Sequence, residues 1–239
     1  MNLRLILCAS FLLLVTGCFN LRQPAPNIDY YQIDYKAMNM PTPKTLDTVL
    51  GVQNFTVATA YDNNRLVYKI GPFERDTYFY KRWITNPGAM ITSALTKDLQ
   101  NSGSYRAVTG VPGRLKWDYE IQGYLRDIYE DDMGDNWKCV IDLEITLIRG
   151  TAGSSKRWVL FQKNYHSSIP CNGKGLRAVV AAMSEAMQVI SIELQGDVYN
   201  AVKDDLKGTK GIAEKAKNTG NASRPLVKTP FTTDINRRK

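Results

Sequence analysis

Three long runs of period two dominate the second half of the chain. Trp117, Tyr119, Ile121, Gly123 and Leu125 alternate with Asp118, Glu120, Gln122, Tyr124 and Arg126. Cys139, Ile141, Leu143, Ile145 and Leu147 alternate with Val140, Asp142, Glu144 and Thr146, and a third run covers Lys156 to Ile169. Successive side chains of a strand point to opposite faces, so the pattern predicts a half-buried antiparallel meander, with turns at "EDDMGDN" and "GTAGSS". A different period, of three and four, then takes over. Leu176, Val179, Val180, Met183, Met187, Ile190, Leu194, Val198 and Val202 lie on one stripe and predict a long helix from about Gly175 to Asp205.

The first half is less regular. Aromatic-rich "IDYYQIDY", Ile28 to Tyr35, reads as a strand, as do Thr48 to Thr59 and Arg65 to Ile70. In Thr48 to Thr59 neither face is cleanly apolar, and Gly51 reads as a bulge. Asp76 to Trp83 is either a strand or an extended lead-in. Asn86-Pro87 then starts a helix as N-cap and first helical residue, with Met90, Ile91, Ala94, Leu95 and Leu99 on one side and Gly103 as its stop. Tyr105 to Thr109 is a short strand. The order β-β-β-α-β-β-β-β-α predicts an α+β fold, a mixed or antiparallel sheet with two helices packed on one face.

The apolar run Leu5 to Val15 rises about 16 Å as a helix, roughly half of a bilayer core. With Arg4 ahead of it and small residues behind, it has the layout of a signal peptide. Val15-Thr16-Gly17-Cys18 resembles the bacterial lipobox, which implies acylation of Cys18 and cleavage just before it. The alternative is an ordinary cleaved signal with an incidental cysteine. Phe19 follows Cys18, and under the sorting rule of enterobacteria-like cells that residue directs a lipoprotein to the outer membrane, facing the periplasm. The expected division is a signal peptide over 1–17, a stalk over 18–27, one domain over 28–205 and a basic disordered tail over 206–239. Ten basic and four acidic residues from Lys203 to Lys239 account for six of the net charge of +8, and Arg4 for one more. The body is therefore close to neutral, which argues against a nucleic-acid-binding face. The tail offers salt-sensitive contact to anionic lipid or a partner.

Candidate chemistry is sparse. Once Cys8 leaves with the signal and Cys18 is acylated, Cys139 and Cys171 remain, and in an oxidising compartment they form a disulfide or stay as two separate thiols. The single histidine, His166, shares a strand face with Ser168, but residues two apart stand nearly 7 Å from each other, too far for a nucleophile–base pair. The acidic run Glu130, Asp131, Asp132 and Asp135 lacks calcium-loop spacing and reads as a solvated hairpin tip. Asp142 and Glu144 face solvent or pair with a neighbouring cation such as Lys163. No metal, cofactor or catalytic residue is expected. Tyr78, Phe79, Tyr80 and Trp83 cluster ahead of the first helix, as core and edge packing or as an interaction patch in which Tyr78, Tyr80 and Trp83 bind a partner.

Several of these segments together resemble the ABC-type transport auxiliary lipoproteins (the PqiC/YmbA-like group). They are Tyr30-Tyr31-Gln32-Ile33, the strand pair before Lys81-Arg82-Trp83, Ser102-Gly103-Ser104-Tyr105-Arg106-Ala107-Val108, and the helix from Ala178 to Leu194. The resemblance spans roughly Asp29 to Asp205 and implies a non-catalytic docking component of an MCE-type lipid transport system. It implies an MCE-type periplasmic protein or other transporter components as partners, and self-assembly in some members. The alternative is a structural, ring-forming lipoprotein of a secretion or envelope-assembly complex, itself a homo-oligomer.

Overall fold

The computed structural model describes residues 26–38, 44–113, 115–134, 136–150 and 156–218, with side chains to Thr209. Cys18, the expected signal peptide and the expected stalk up to residue 25 lie outside the described residues. The elements are β1 (Asp29–Tyr31), β2 (Leu46–Gln53), β3 (Thr56–Val57), β4 (Arg65–Lys69), β5 (Arg75–Trp83), α1 (Pro87–Asn101), β6 (Tyr105–Val111), β7 (Tyr119–Asp131), β8 (Lys138–Arg149), β9 (Trp158–Pro170) and α2 (Leu176–Asn218). They form the expected mixed sheet with both helices on one face. The run Thr48–Thr59 resolves into two strands, and Asp76–Trp83 is strand throughout its length.

Strand β7 is the spine of the sheet. One edge pairs antiparallel with β8 from Tyr119 to Asp131, and β8 pairs in turn with β9. The other edge is shared by three short parallel partners in succession. β2 takes Tyr119–Ile121, β3 takes Tyr124–Leu125 and β4 takes Glu130–Asp131. The break between β2 and β3 falls at Phe55, whose N–H bonds Thr92 Oγ1 of α1 (3.0 Å). Phe55 also fills the space above Gly123, where a Cβ would lie 2.4 Å from its ring.

β2 sits between β6 and β7, parallel to both, and is buried on both faces from Thr48 to Val52. That is why its sequence shows no alternation: parallel strands covered on both sides read as continuous apolar runs. Gly51 marks no bulge. The register shift lies between Leu46 and Val49, and Gly51 instead admits the Trp117 ring, 2.9 Å from where its Cβ would stand.

Helix α1 starts as expected. The Asn86 side chain accepts from Gly88 N (2.9 Å), Pro87 takes the first turn, and Gly103 follows with φ +63°. Helix α2 lays Val179, Met183, Met187, Ile190, Leu194 and Val198 on the β8 face lined by Cys139, Ile141, Leu143, Ile145 and Leu147. It continues to Asn218, past the boundary expected at Asp205. The apolar stripe ends at the clamp formed by Asp205 with Arg149 Nη1 (2.8 Å) and Tyr119 Oη (2.8 Å). Leu206 still packs against the core, and the Lys, Ala and Glu residues beyond it have good helix propensity.

The chain after β1 leaves the sheet and crosses the helices. Asp34 N donates to Ser184 Oγ (3.1 Å), Gln188 Nε2 donates to Lys36 O (2.7 Å), and Tyr35 Oη donates to Asp98 Oδ2 (2.7 Å). The strand expected over Ile28–Tyr35 is therefore only three residues long.

Candidate functional site

The aromatic cluster divides between core and surface. Trp83 is 1% exposed and its N–H bonds Asn64 O (2.8 Å), so it is a core residue that offers nothing to a partner. Tyr78 is half-buried, packs tilted against Tyr68 with ring centroids 4.8 Å apart, and donates to Glu130 Oε2 (2.8 Å). Tyr80 is 45% exposed, and its neighbour Phe79 is 77% exposed, packed edge-on to Tyr80.

A register shift produces this division. Arg65 pairs with Arg82 and Val67 with Thr77, so one residue of β4 faces four of β5, Tyr78 to Lys81. The excess is an irregular bulge, and bulges re-aim side chains. At the end of the same hairpin, Ile70 is 51% exposed and Phe73 99% exposed. Ile70 closes the strand expected over Arg65–Ile70, and Phe73 lies beyond Gly71-Pro72, outside every expected element. The available signal was two large apolar residues flanking a turn dipeptide, a place where polar residues are the norm.

A second cluster gathers where β7, β8 and β9 end together. Glu130 pairs with Cys139 across β7 and β8, Cys139 pairs with Ile169, and Cys171 follows two residues on. Both cysteines are free thiols in the structure, Cys139 buried and Cys171 at the surface edge of the core. Burial pushes the Cys139 thiol up to about 11, with the neighbouring Cys171 adding to the shift. Cys171 is raised by burial and by Glu130. Glu130 is 1% exposed, its carboxyl is raised by burial, and its Oε1 has no hydrogen-bond partner. Asp131 pairs with Lys69 (3.5 Å) and Lys138 (3.7 Å). The first two acids of the run read as a solvated tip are therefore inside the fold, because the β7–β8 pairing continues through Asp131.

The outer face of β8 is polar. Asp142 faces His166 Nδ1 (3.3 Å), and Glu144 accepts from Arg126 and from Gln162 Nε2 (2.6 Å). Lys163 takes no part in this. It lies opposite Ile145 on the helix side and binds Glu193 (2.8 Å) and Asp197 (2.6 Å) of α2. Ser167 is buried on that inner side and Ser168 stands opposite Val140, so neither forms a relay with His166. Among the described residues no three His, Cys, Asp or Glu side chains converge on a metal position, and no helix is long and apolar enough to cross a membrane.

Strand β9 pairs with β8 only, among the described residues, which leaves its other edge open over Trp158–Pro170. Such an edge carries a row of unpaired N–H and C=O groups able to accept another strand.

The described surface thus includes an exposed apolar hairpin and an open strand edge. The family model for the ABC-type transport auxiliary lipoprotein component matches residues 31–194, and the chain belongs to that family. It is a non-catalytic auxiliary component of an ABC-type transport system, associated with the membrane as a periplasmic lipoprotein. Among solved structures, protein XCC0632 from Xanthomonas campestris is similar, with a TM-score of 0.67 at 21% identity over 75% of this chain and 99% of that one. An uncharacterized protein aligns with a TM-score of 0.57 at 13% identity over 72% of this chain and 99% of that one. Both share the fold. No curated protein sequence matches the chain.

Proposed function

We propose that this chain is the outer-membrane docking component of an MCE-type lipid transport system, anchored through an acylated Cys18. Its mechanism is positional. The anchor fixes one α+β domain to the membrane, and the domain holds the periplasmic component of the transporter near the bilayer that receives or gives up lipid. The observation that carries the docking step is the open edge of β9. It is long, it ends a rigid antiparallel meander, and Val159 on it is 62% exposed. Adding a partner strand there supplies main-chain hydrogen bonds without reorganising the domain. Of the three aromatics first considered for this role, only Tyr80 remains at the surface.

The test is co-purification from detergent-solubilised envelopes using the full acylated chain. An MCE-type protein or its permease should accompany the wild-type chain, and Val159→Asp should reduce its recovery several-fold. Recovery of neither protein, with the chain intact and membrane-bound, would refute the assignment.

A further inference from the structure

The hairpin of β4 and β5 exposes more apolar side chain than a solvated turn requires. Ile70 and Phe73 stand at its end, and Phe79 and Tyr80 stand on the bulge above. Phe79 and Tyr80 pack on each other, and Phe73 lies roughly 20 Å along the strand from Phe79; exposed apolar residues gathered on one hairpin in this way mark a contact surface. The cations nearby are already engaged. Lys81 pairs with Asp29 (2.5 Å), Arg75 lies over the Tyr129 ring (4.5 Å), and Lys69 pairs with Asp131. These pairings leave apolar and aromatic area beside two exposed carboxylates, Glu74 and Asp76, which suits the headgroup level of a bilayer rather than its hydrocarbon core.

The direction of the chain says what this area meets. β1 is parallel to β5, with Asp29 beside Lys81 and Tyr31 beside Trp83. Followed backward from Asp29, the strand points along β5 toward Tyr80, Phe79 and the hairpin end. The ten residues from Cys18 to Asn27 span at most about 35 Å. The β5 stretch from Arg75 to Lys81 is only about 23 Å long at strand rise. An acyl group on Cys18 thus reaches the level of Phe73 with length to spare.

We propose that Ile70, Phe73, Phe79 and Tyr80 form a second membrane contact, inserted into the interface of the bilayer that holds the Cys18 anchor. Aromatic rings suit that depth, with an apolar body and, in Tyr80, a polar tip. A single acyl attachment leaves the orientation of the domain unset. Two attachments at one end fix its orientation and hold the Trp158 end of the open β9 edge away from the bilayer, while its Pro170 end lies level with the hairpin across β7 and β8. Val159 pairs with Ile148 near the Tyr119 end of β7, whereas Ile70 follows the β4 residues paired at its Asp131 end.

The inference rests on the anchoring proposed above, and the test separates the two. A benzoyl-phenylalanine photoprobe is placed at Phe73, Phe79 or Val159 in the full acylated chain, and intact envelopes are illuminated. Positions 73 and 79 should yield adducts carrying the mass of one phospholipid, at least tenfold above position 159. The yield should not change with added salt. Protein adducts at 73 and 79 in place of lipid would make the hairpin a protein-docking surface and overturn the proposal. So would a phospholipid yield no higher than at 159 in a chain that sediments with membranes, and that result leaves the anchor intact. A chain that remains in the supernatant overturns the anchor and this contact together.

Discussion

Asp98 locks three separate parts of the chain together, so its removal has a calculable cost. It is 3% exposed, and its Oδ2 accepts from Tyr35 Oη (2.7 Å) and Ser191 Oγ (2.6 Å). Tyr35 belongs to the segment that crosses the helices after β1, Asp98 to α1, and Ser191 to α2. Asp98→Ala leaves both hydroxyls without this acceptor. Hydrogen bonds to a charged group contribute about 1.5–3 kcal/mol each, and two that share one oxygen are not additive, so the expected loss is about 3–4 kcal/mol. That is a large part of the roughly 5–15 kcal/mol that holds a domain folded. With a urea m-value of about 2 kcal/mol/M, the unfolding midpoint should fall by about 1.5–2 M. Asp98→Asn keeps an acceptor oxygen and loses only the charge assistance, for about 1 kcal/mol. The assay is equilibrium urea unfolding by circular dichroism, with Tyr35→Phe and Ser191→Ala completing a double-mutant cycle. A midpoint shift below about 0.5 M for Asp98→Ala, or an Asn variant as damaged as the Ala one, would refute the lock.

Two other predictions follow from side-chain chemistry. Tyr35, Tyr61, Tyr119 and Tyr165 each donate to a carboxylate, and burial first, then that carboxylate, raises each above its ordinary value. The folded state therefore keeps these protons where the unfolded chain loses them. Their contribution is full below about pH 10 and declines above it by about 1.4 kcal/mol per pH unit for each group, so thermal melts should drop steeply from pH 10 and less steeply in Tyr61→Phe. The second concerns Cys139 of β8 and Cys171, which follows the end of β9 two residues beyond Ile169, the partner of Cys139. Oxidation closes a loop worth about 3.5 kcal/mol in chain entropy, reduced to roughly 1–3 by the shift that the two residues need to reach bonding distance. Reductant should lower the unfolding midpoint of the oxidised chain and leave Cys171→Ser unchanged, and non-reducing peptide mapping that finds two free thiols in the periplasmic form would count against the bond.

The fold was legible in the sequence wherever one face of an element meets the core and the other meets water. Along α2, over β8 and over β7 as far as Leu125, burial follows the period; a register shift between Leu125 and Asp127 then turns Ile128 and Glu130 inward, and the Cys139, Ile141, Leu143, Ile145 and Leu147 face is fully buried. The signal disappears in β2, because a parallel strand covered on both faces has no polar side to alternate with. It misleads in "DTYFYKRW". Strict alternation there cannot sort Tyr78, Phe79, Tyr80 and Trp83, since the extra residues of the bulge reset which side each one faces. Glu130 gives the same lesson from the other direction: it belongs to an acidic run that reads as solvent-exposed, yet its pairing with Cys139 turns it inward. Each of these facts is a matter of register, set by which strands meet and not by the composition of either. The membrane-facing assignment depends on register most of all. Asp29 and Lys81 are 52 residues apart, and only their parallel pairing brings the chain that leads to Cys18 alongside the exposed hairpin. Had β1 paired antiparallel, the same residues would send the stalk toward Trp83 and α1, and the apolar tip would lie at the far end of the domain from its anchor.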